Sequence, residues 1–446
     1  MSDKQKRNRK YITLLGVFFT FVIATTLLVV SADEGINKEA IFGPGDRKDG
    51  YESESYVTNS LSVTARKGKK TDLLQFVYNP PLGLPKIDLP QSNPITKEKV
   101  ELGRLLFFDR RLSLNDTFSC AICHIPEQGF TSNELATAIG FEGRSVNRNS
   151  PTSYNVAYYT LFFHDGREDS LEQQVWSPLL AHNEMANPSI GYVINKIKGI
   201  KEYEGLFEAA FDGEGPTMQT VGDAIASYQR TLNSANSRFD RWYFGKEKDA
   251  LTYDEKQGFS LFMGKGKCAS CHLVDQDYAL FTDNRMHNTG HGFATSMGIG
   301  PDKTRIQLAP GVFVDVDNEV IDSVRQQPKP NDVGLYSVTQ NPFDRWKYRT
   351  PSLRNVALTG PYMHDGAFTN LHDVVEFYNQ GGVPNELLSP LIMPLSLTAE
   401  EVDQIVAFML ALTGDNVQTL VADAFAAPIG DLRQQDPNWA HETELK

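Results

Sequence analysis

All four cysteines of this 446-residue chain fall in two pentapeptides, Cys120-Ala121-Ile122-Cys123-His124 and Cys268-Ala269-Ser270-Cys271-His272. Two thiols at this spacing can add to the two vinyl groups of a haem, while the adjacent imidazole turns inward to ligate the iron. The competing readings are a disulfide, a dithiol redox pair and half of a zinc site. A structural zinc site built from the two pairs needs no histidine after each. A thioredoxin-type dithiol needs a βαβ setting that this sequence lacks. Two such motifs, using every cysteine, therefore predict two covalently attached c-type haems with His124 and His272 as proximal ligands.

Such attachment belongs outside the cytoplasm, and the N-terminus agrees. Lys4, Lys6, Arg7, Arg9 and Lys10 precede an uncharged apolar run from Tyr11 to Ala32. The run reaches the roughly 20 residues that span a bilayer as a helix, and Val30-Ser31-Ala32 would also suit a signal peptidase. Residues 1–32 are thus read as a transmembrane anchor or a signal peptide, with the rest of the chain periplasmic in either case. The formal charge is −13, and without residues 1–32 it becomes 38 basic against 55 acidic residues, or −17. That acidity disfavours nucleic acid as a partner.

The remaining chain divides by composition and periodicity. Residues 33–94 are polar, then rich in proline, and read as a linker or extension. Thr96 should open a helix in which Val100, Leu102, Leu105, Leu106 and Phe108 gather on one face. Thr252 should open another, with Phe259, Leu261 and Phe262 ahead of Gly264 and Cys268, much as Gly103, Leu106 and Phe107 precede Cys120. This repeat predicts two tandem cytochrome c-like domains, 95–245 and 246–415, followed by a tail over 416–446. A further helix is expected from Thr398 to Thr413, with Gly414 as its stop. Strand-like alternation is sparse, so the fold class is mainly α.

Longer motifs carry a specific resemblance. Leu102-Gly103-Arg104-Leu105-Leu106-Phe107-Phe108-Asp109 leads into the first haem motif, followed by Arg148-Asn149-Ser150-Pro151-Thr152, His164-Asp165-Gly166-Arg167 and Glu184-Met185. The second half carries Phe281-Thr282-Asp283-Asn284-Arg285, Arg349-Thr350-Pro351-Ser352-Leu353-Arg354-Asn355 and Gly360-Pro361-Tyr362-Met363-His364-Asp365-Gly366. From about Ile95 to Gly414 the chain resembles the bacterial dihaem cytochrome c peroxidase and MauG superfamily.

That resemblance implies roles. The histidine that caps the first iron in typical resting peroxidases is replaced by Phe141, which cannot ligate iron, so the first haem should be open to peroxide without prior reduction. The distal methionine of the second haem is replaced by Tyr378, as in MauG-like members, and a phenolate favours the higher charge of the iron. Glu184 falls at the acid–base position, with Gln174 as its hydrogen-bonding partner and Arg349 near the haems. Asn149 and the carbonyls of Thr359 and Pro361 match a calcium site, whose all-oxygen set suits that hard cation. One departure is His164, where the family often has a tryptophan between the haems; Trp176 is close in sequence but off the matching position.

The residues themselves leave competitors open. Met363 or Met393 could supply a sulfur ligand in place of Tyr378. His182, His287, His291 and His372 are ligands in principle, and Glu168 and Glu172 fit a solvated helix face. The expected function is a peroxide-activating dihaem oxidoreductase of MauG-like type, acting on a protein substrate. The alternatives are a conventional peroxidase fed by a small cytochrome c or cupredoxin, and a membrane-tethered dihaem electron carrier without peroxide chemistry.

Overall fold

The computed structural model describes residues 68–300, 303–309, 312–317, 320 and 331–427. The apolar run over 11–32 lies outside the described residues, among which no helix is long and apolar enough to cross a membrane. The helices that position the site are α1 (Lys97–Phe108), α2 (Leu171–Gln174), α3 (Met218–Gln229), α4 (Tyr253–Met263), α5 (Leu371–Asn379), α6 (Ala399–Leu410) and α7 (Val417–Phe425). The described strands are β1 (Met286–His287), β2 (Lys303–Ala309), β3 (Val312–Asp317) and β4 (Tyr348–Arg349).

Two helix crossings organise the molecule. The Thr96 side chain accepts from the Lys99 N–H and starts α1, satisfying one of the donors that a helix N-terminus leaves open. Helix α1 crosses α3 so closely that a Cβ on Gly103 would lie 1.8 Å from the Ala224 carbonyl oxygen. In the second half Thr252 and Glu255 form a reciprocal capping box at the head of α4, and α4 crosses α6. There a Cβ on Gly258 would lie 1.8 Å from the Gln404 carbonyl oxygen. Each crossing therefore requires a glycine at its centre, and each packs an aromatic core beside it. Phe107, Phe108 and Tyr228 pack edge to face in the first, and Phe262 and Phe408 in the second.

Several boundaries differ from the sequence reading. Residues 68–94 are not a free linker: Leu73 and Val77 are buried in the first core, and the Gly83 carbonyl accepts from Arg354. The expected tail contains α7, whose Val417, Leu420, Val421 and Ala424 also enter the first core. A buried Arg104–Asp423 ion pair (2.9 Å) ties α7 to α1. Phe239, assigned by sequence to the first domain, is buried in the second core. The proline-rich stretch and the acidic tail hid these contacts because neither shows a long apolar period.

Helix α6 begins at the predicted Thr398 cap but ends at Leu410. Gly414 is not its stop. It approaches Ser234 and Ala235 too closely for a side chain and donates its N–H to Asn355 Oδ1 (2.8 Å). Strands β2 and β3 pair antiparallel, with Lys303 opposite Asp317 and Gln307 opposite Phe313. This hairpin was missed because its alternation covers only six or seven residues per strand.

Candidate active site

Both Cys-x-x-Cys-His segments form one tight turn, closed by the His124 N–H to the Cys120 carbonyl and the His272 N–H to the Cys268 carbonyl, each 2.9 Å. His124 Nδ1 donates to the Phe130 carbonyl (3.1 Å) and His272 Nδ1 to the Phe281 carbonyl (2.8 Å). A carbonyl only accepts, so each Nδ1 carries the proton and each Nε2 keeps its lone pair for a metal. Phe130 and Phe281 sit at φ +54° and +52°, a left-handed conformation that bulky side chains rarely adopt. Both are fully buried, so packing offsets the strain that aims the two carbonyls at the imidazoles.

Burial keeps the thiols neutral. Cys120, Cys123 and Cys268 are pushed up to about 12 and Cys271 to about 11, with the Glu184 carboxylate adding to the shift at the first pair. Two sulfurs and one imidazole nitrogen at each loop, in apolar surroundings, fit a covalently attached haem at both sites.

A cavity of about 3150 Å³ is lined by Cys123, His124, His164, Gln174, Glu184 and Arg349 among others. Gln174 ends α2, which starts where the Ser170 hydroxyl accepts from the Gln173 N–H. Burial raises the Glu184 carboxyl above its ordinary value of 4.5, against the pull of Arg167. The Phe141 N–H donates to the Glu184 carbonyl (3.0 Å). Its ring is buried with the Arg144 guanidinium 5.5 Å away. Glu172 is not on a solvated face: it pairs with Arg230 (2.5 Å) and accepts from Asn93.

Arg349 reaches across the two halves. Its main-chain N–H donates to the His164 carbonyl (2.8 Å), its Nε to the Phe163 carbonyl (3.3 Å), and its guanidinium covers the Tyr159 ring at 3.9 Å. His164 Nε2 donates to the Asn149 carbonyl, and burial pushes the imidazole down to about 3. Trp176 lies in the first core, 3.5 Å from where a Gly222 Cβ would stand.

On the second site, Tyr378 rides on α5, which Asn370 caps. Its phenol is raised by burial and by the nearby Cys271 and Cys268 sulfurs. The competing methionine Met393 is exposed, and its sulfur accepts from Lys267 Nζ (3.3 Å). Three of the competing histidines are paired with carboxylates: His287 with Asp283, His291 with Asp365 and His372 with Asp403. Asn149 spends its amide nitrogen on the Ala136 carbonyl (3.0 Å), leaving its oxygen as a donor to a cation. Thr359 packs beside Gly129 of the first half.

One pattern escaped the sequence reading although its residues were visible. Asn155, His164, Asp165, Gly166 and Leu171 recur as Asn355, His364, Asp365, Gly366 and Leu371, each 200 positions on. The backbones agree: φ is +59° and +61° at the asparagines and +68° at both glycines, and Phe162 bridges Glu168 as Tyr362 bridges Phe368. The constant offset was the signal that would have paired His364 and Asp365 with His164 and Asp165.

The description "Di-haem cytochrome c peroxidase" matches residues 97–248. The cytochrome-c peroxidase IdrP1 of Pseudomonas sp. (strain SCT) is 36% identical over 75% of this chain and 86% of its own. The methylamine utilization protein MauG of Methylorubrum extorquens is 38% identical over 73% of this chain and 81% of its own. Among solved structures, a MauG-like protein associated with microbial copper homeostasis superposes with a TM-score of 0.62 at 30% identity, over 78% of this chain and 98% of that one.

Proposed function

The chain belongs to the dihaem cytochrome c peroxidase family, a peroxide-dependent class of oxidoreductase carrying two c-type haems, and from that premise we propose that it works in the MauG-like manner. When bound, the haems would supply the redox chemistry, giving electrons to peroxide at the first site and holding or relaying the other oxidising equivalent at the second. His124 and His272 would hold the irons through Nε2, and Tyr378 would supply an oxygen ligand to the second. The Glu184 carboxylate moves a proton from one peroxide oxygen to the other, so that the O–O bond breaks heterolytically. Gln174 orients the peroxide by hydrogen bonding, and Arg349 pairs with a haem propionate. Asn149, Thr359 and Pro361 would hold a calcium ion between the two halves.

The observation that carries this reading is Glu184 in the cavity beside His124, its carboxyl raised by burial, with a phenylalanine at position 141. The oxidised dihaem protein should show a high-spin signal that collapses on adding stoichiometric peroxide without prior reduction. A wholly low-spin, peroxide-silent protein would instead favour the electron carrier. The surplus of 17 negative charges beyond residue 32 suits a basic partner, either a protein substrate or the small cytochrome or cupredoxin of a conventional peroxidase. Residues 1–32 act as leader or anchor for a periplasmic enzyme.

A further inference from the structure

The His-Asp-Gly loop of the second half carries groups to which the proposed function gives no role. His364 is buried and stacked on the Tyr348 ring, with centroids 3.8 Å apart. His291 approaches from the short helix His291–Ser296, with its Nε2 2.8 Å from Asp365 Oδ1. One donor atom from each of His291, His364 and Asp365 lies within 4.8 Å of the other two. All three residues line the large cavity.

The equivalent loop in the first half shows why this one is different. Asp165 is clamped by Arg148 (2.6 Å) and Arg167 (3.0 Å), which leaves no room for a cation. Two hundred positions on, those arginines become Tyr348 and Ala367, and Asp365 meets an imidazole. Arg148 also pairs with Asp332 (2.7 Å), whose carboxylate stands 3.8 Å from His364 Nε2.

The loop is also held before anything binds. The Asn149 N–H donates to the His364 carbonyl (2.8 Å), and Gly366 at φ +68° stands where a Cβ would meet the Ala136 carbonyl at 2.2 Å. Fixed supports of this kind lower the cost of assembling a metal site.

We propose that His291, His364 and Asp365 form a third metal site, selective for a divalent first-row transition ion of the copper–zinc end. Two imidazoles and one carboxylate suit those ions and not calcium, which takes oxygen donors. The three donors leave a coordination position towards the cavity, and metal–ligand distances of about 2.0–2.2 Å require the His291–Asp365 hydrogen bond to open around the ion. The site is independent of the peroxide chemistry and differs from the Asn149, Thr359 and Pro361 set.

The test uses tag-free dihaem protein stripped with a chelator and titrated with Zn2+, and separately with Cu2+. One equivalent of Zn2+ should bind, unaffected by excess Ca2+. The Cu2+ form should show hyperfine coupling to two imidazole nitrogens. His291→Gln should weaken binding by about tenfold or more, and the His291→Gln, His364→Gln pair by about 100-fold, with haem content unchanged. If the pair fails to fold, Asp365→Asn together with the His291→Gln single variant carries the same comparison. Absence of stoichiometric binding, displacement by Ca2+, or undiminished affinity in the variants would overturn the site.

Discussion

The two halves are built alike on the side that holds a haem and differently on the side that faces chemistry. In each, a glycine lets two helices touch at their backbones, and a strained phenylalanine aims its carbonyl at the histidine Nδ1. Beyond the histidines the likeness ends. The first half places Glu184, a carboxyl raised by burial, in the cavity with His124, and the second buries the Tyr378 phenol, raised by burial and by the Cys271 and Cys268 sulfurs. A shared frame with unlike distal groups is how one architecture can hold two haems with separate duties.

That contrast is broken most severely at Glu184. Replacing it with Gln keeps the shape and removes the proton carrier, so the rate of reaction with peroxide should fall about 10²–10⁴-fold, measured by stopped-flow spectroscopy. The wild-type rate should rise with pH through a value above 4.5, because the buried carboxyl ionises late and its ionised form is the acceptor. Glu184→Gln should erase that limb. Tyr378→Phe should leave the initial peroxide step near the wild-type rate and alter the spectrum of the second haem alone; an unchanged spectrum would remove Tyr378 as a ligand.

The next comparison is between the two buried ion pairs. Arg354 serves the fully buried Asp240 with two hydrogen bonds, and also the Gly83 and Ala279 carbonyls. Arg354→Met strands all of these, and a cost of about 3–5 kcal/mol is expected in chemical denaturation. Arg104→Met should cost less. Its partner Asp423 is already raised above 3.8 by burial, so it can take up a proton when the guanidinium leaves. Smaller again is the pair Gly103→Ala and Gly258→Ala. A methyl 1.8 Å from a carbonyl oxygen must push the helices apart, and overpacking costs about 1–3 kcal/mol. If the halves are equivalent, the two variants should lose similar stability, each disturbing the haem of its own half.

What could be read from the sequence was what local chemistry dictates. The haem loops follow from five adjacent residues, and the helix starts at Thr96, Thr252 and Thr398 follow from capping preferences that act within one turn. The packing of 68–94 and of α7 on the first half was hidden, because it depends on Arg104 meeting a residue 319 positions away. The arginine clamp on Asp165 draws on Arg148 and Arg167, which lie close in sequence, and the positions 200 residues on hold Tyr348 and Ala367. Reading the two halves against each other at a fixed offset would have exposed that difference before any coordinates.

The smallest effect separates the two helices of the second crossing by their caps. Helices α4 and α6 both open with a reciprocal box, Thr252 with Glu255 and Thr398 with Glu401. Removing the hydroxyl as Thr→Val, so that one helix N–H loses its acceptor, costs about 1 kcal/mol in the general case. The two boxes differ in what holds the glutamate. Glu255 is buried and gripped by Arg238 at 2.5 Å, whereas Glu401 pairs with Lys265 in a partly exposed setting. A gripped glutamate keeps accepting from the Thr252 N–H when the hydroxyl is lost, so Thr252→Val should cost less than Thr398→Val. Added salt should widen the loss at position 398 by screening the exposed Lys265–Glu401 pair, while leaving position 252 nearly unchanged. Equal costs with equal salt dependence would show that the glutamates' partners do not matter, and that the hydroxyl alone sets each helix start.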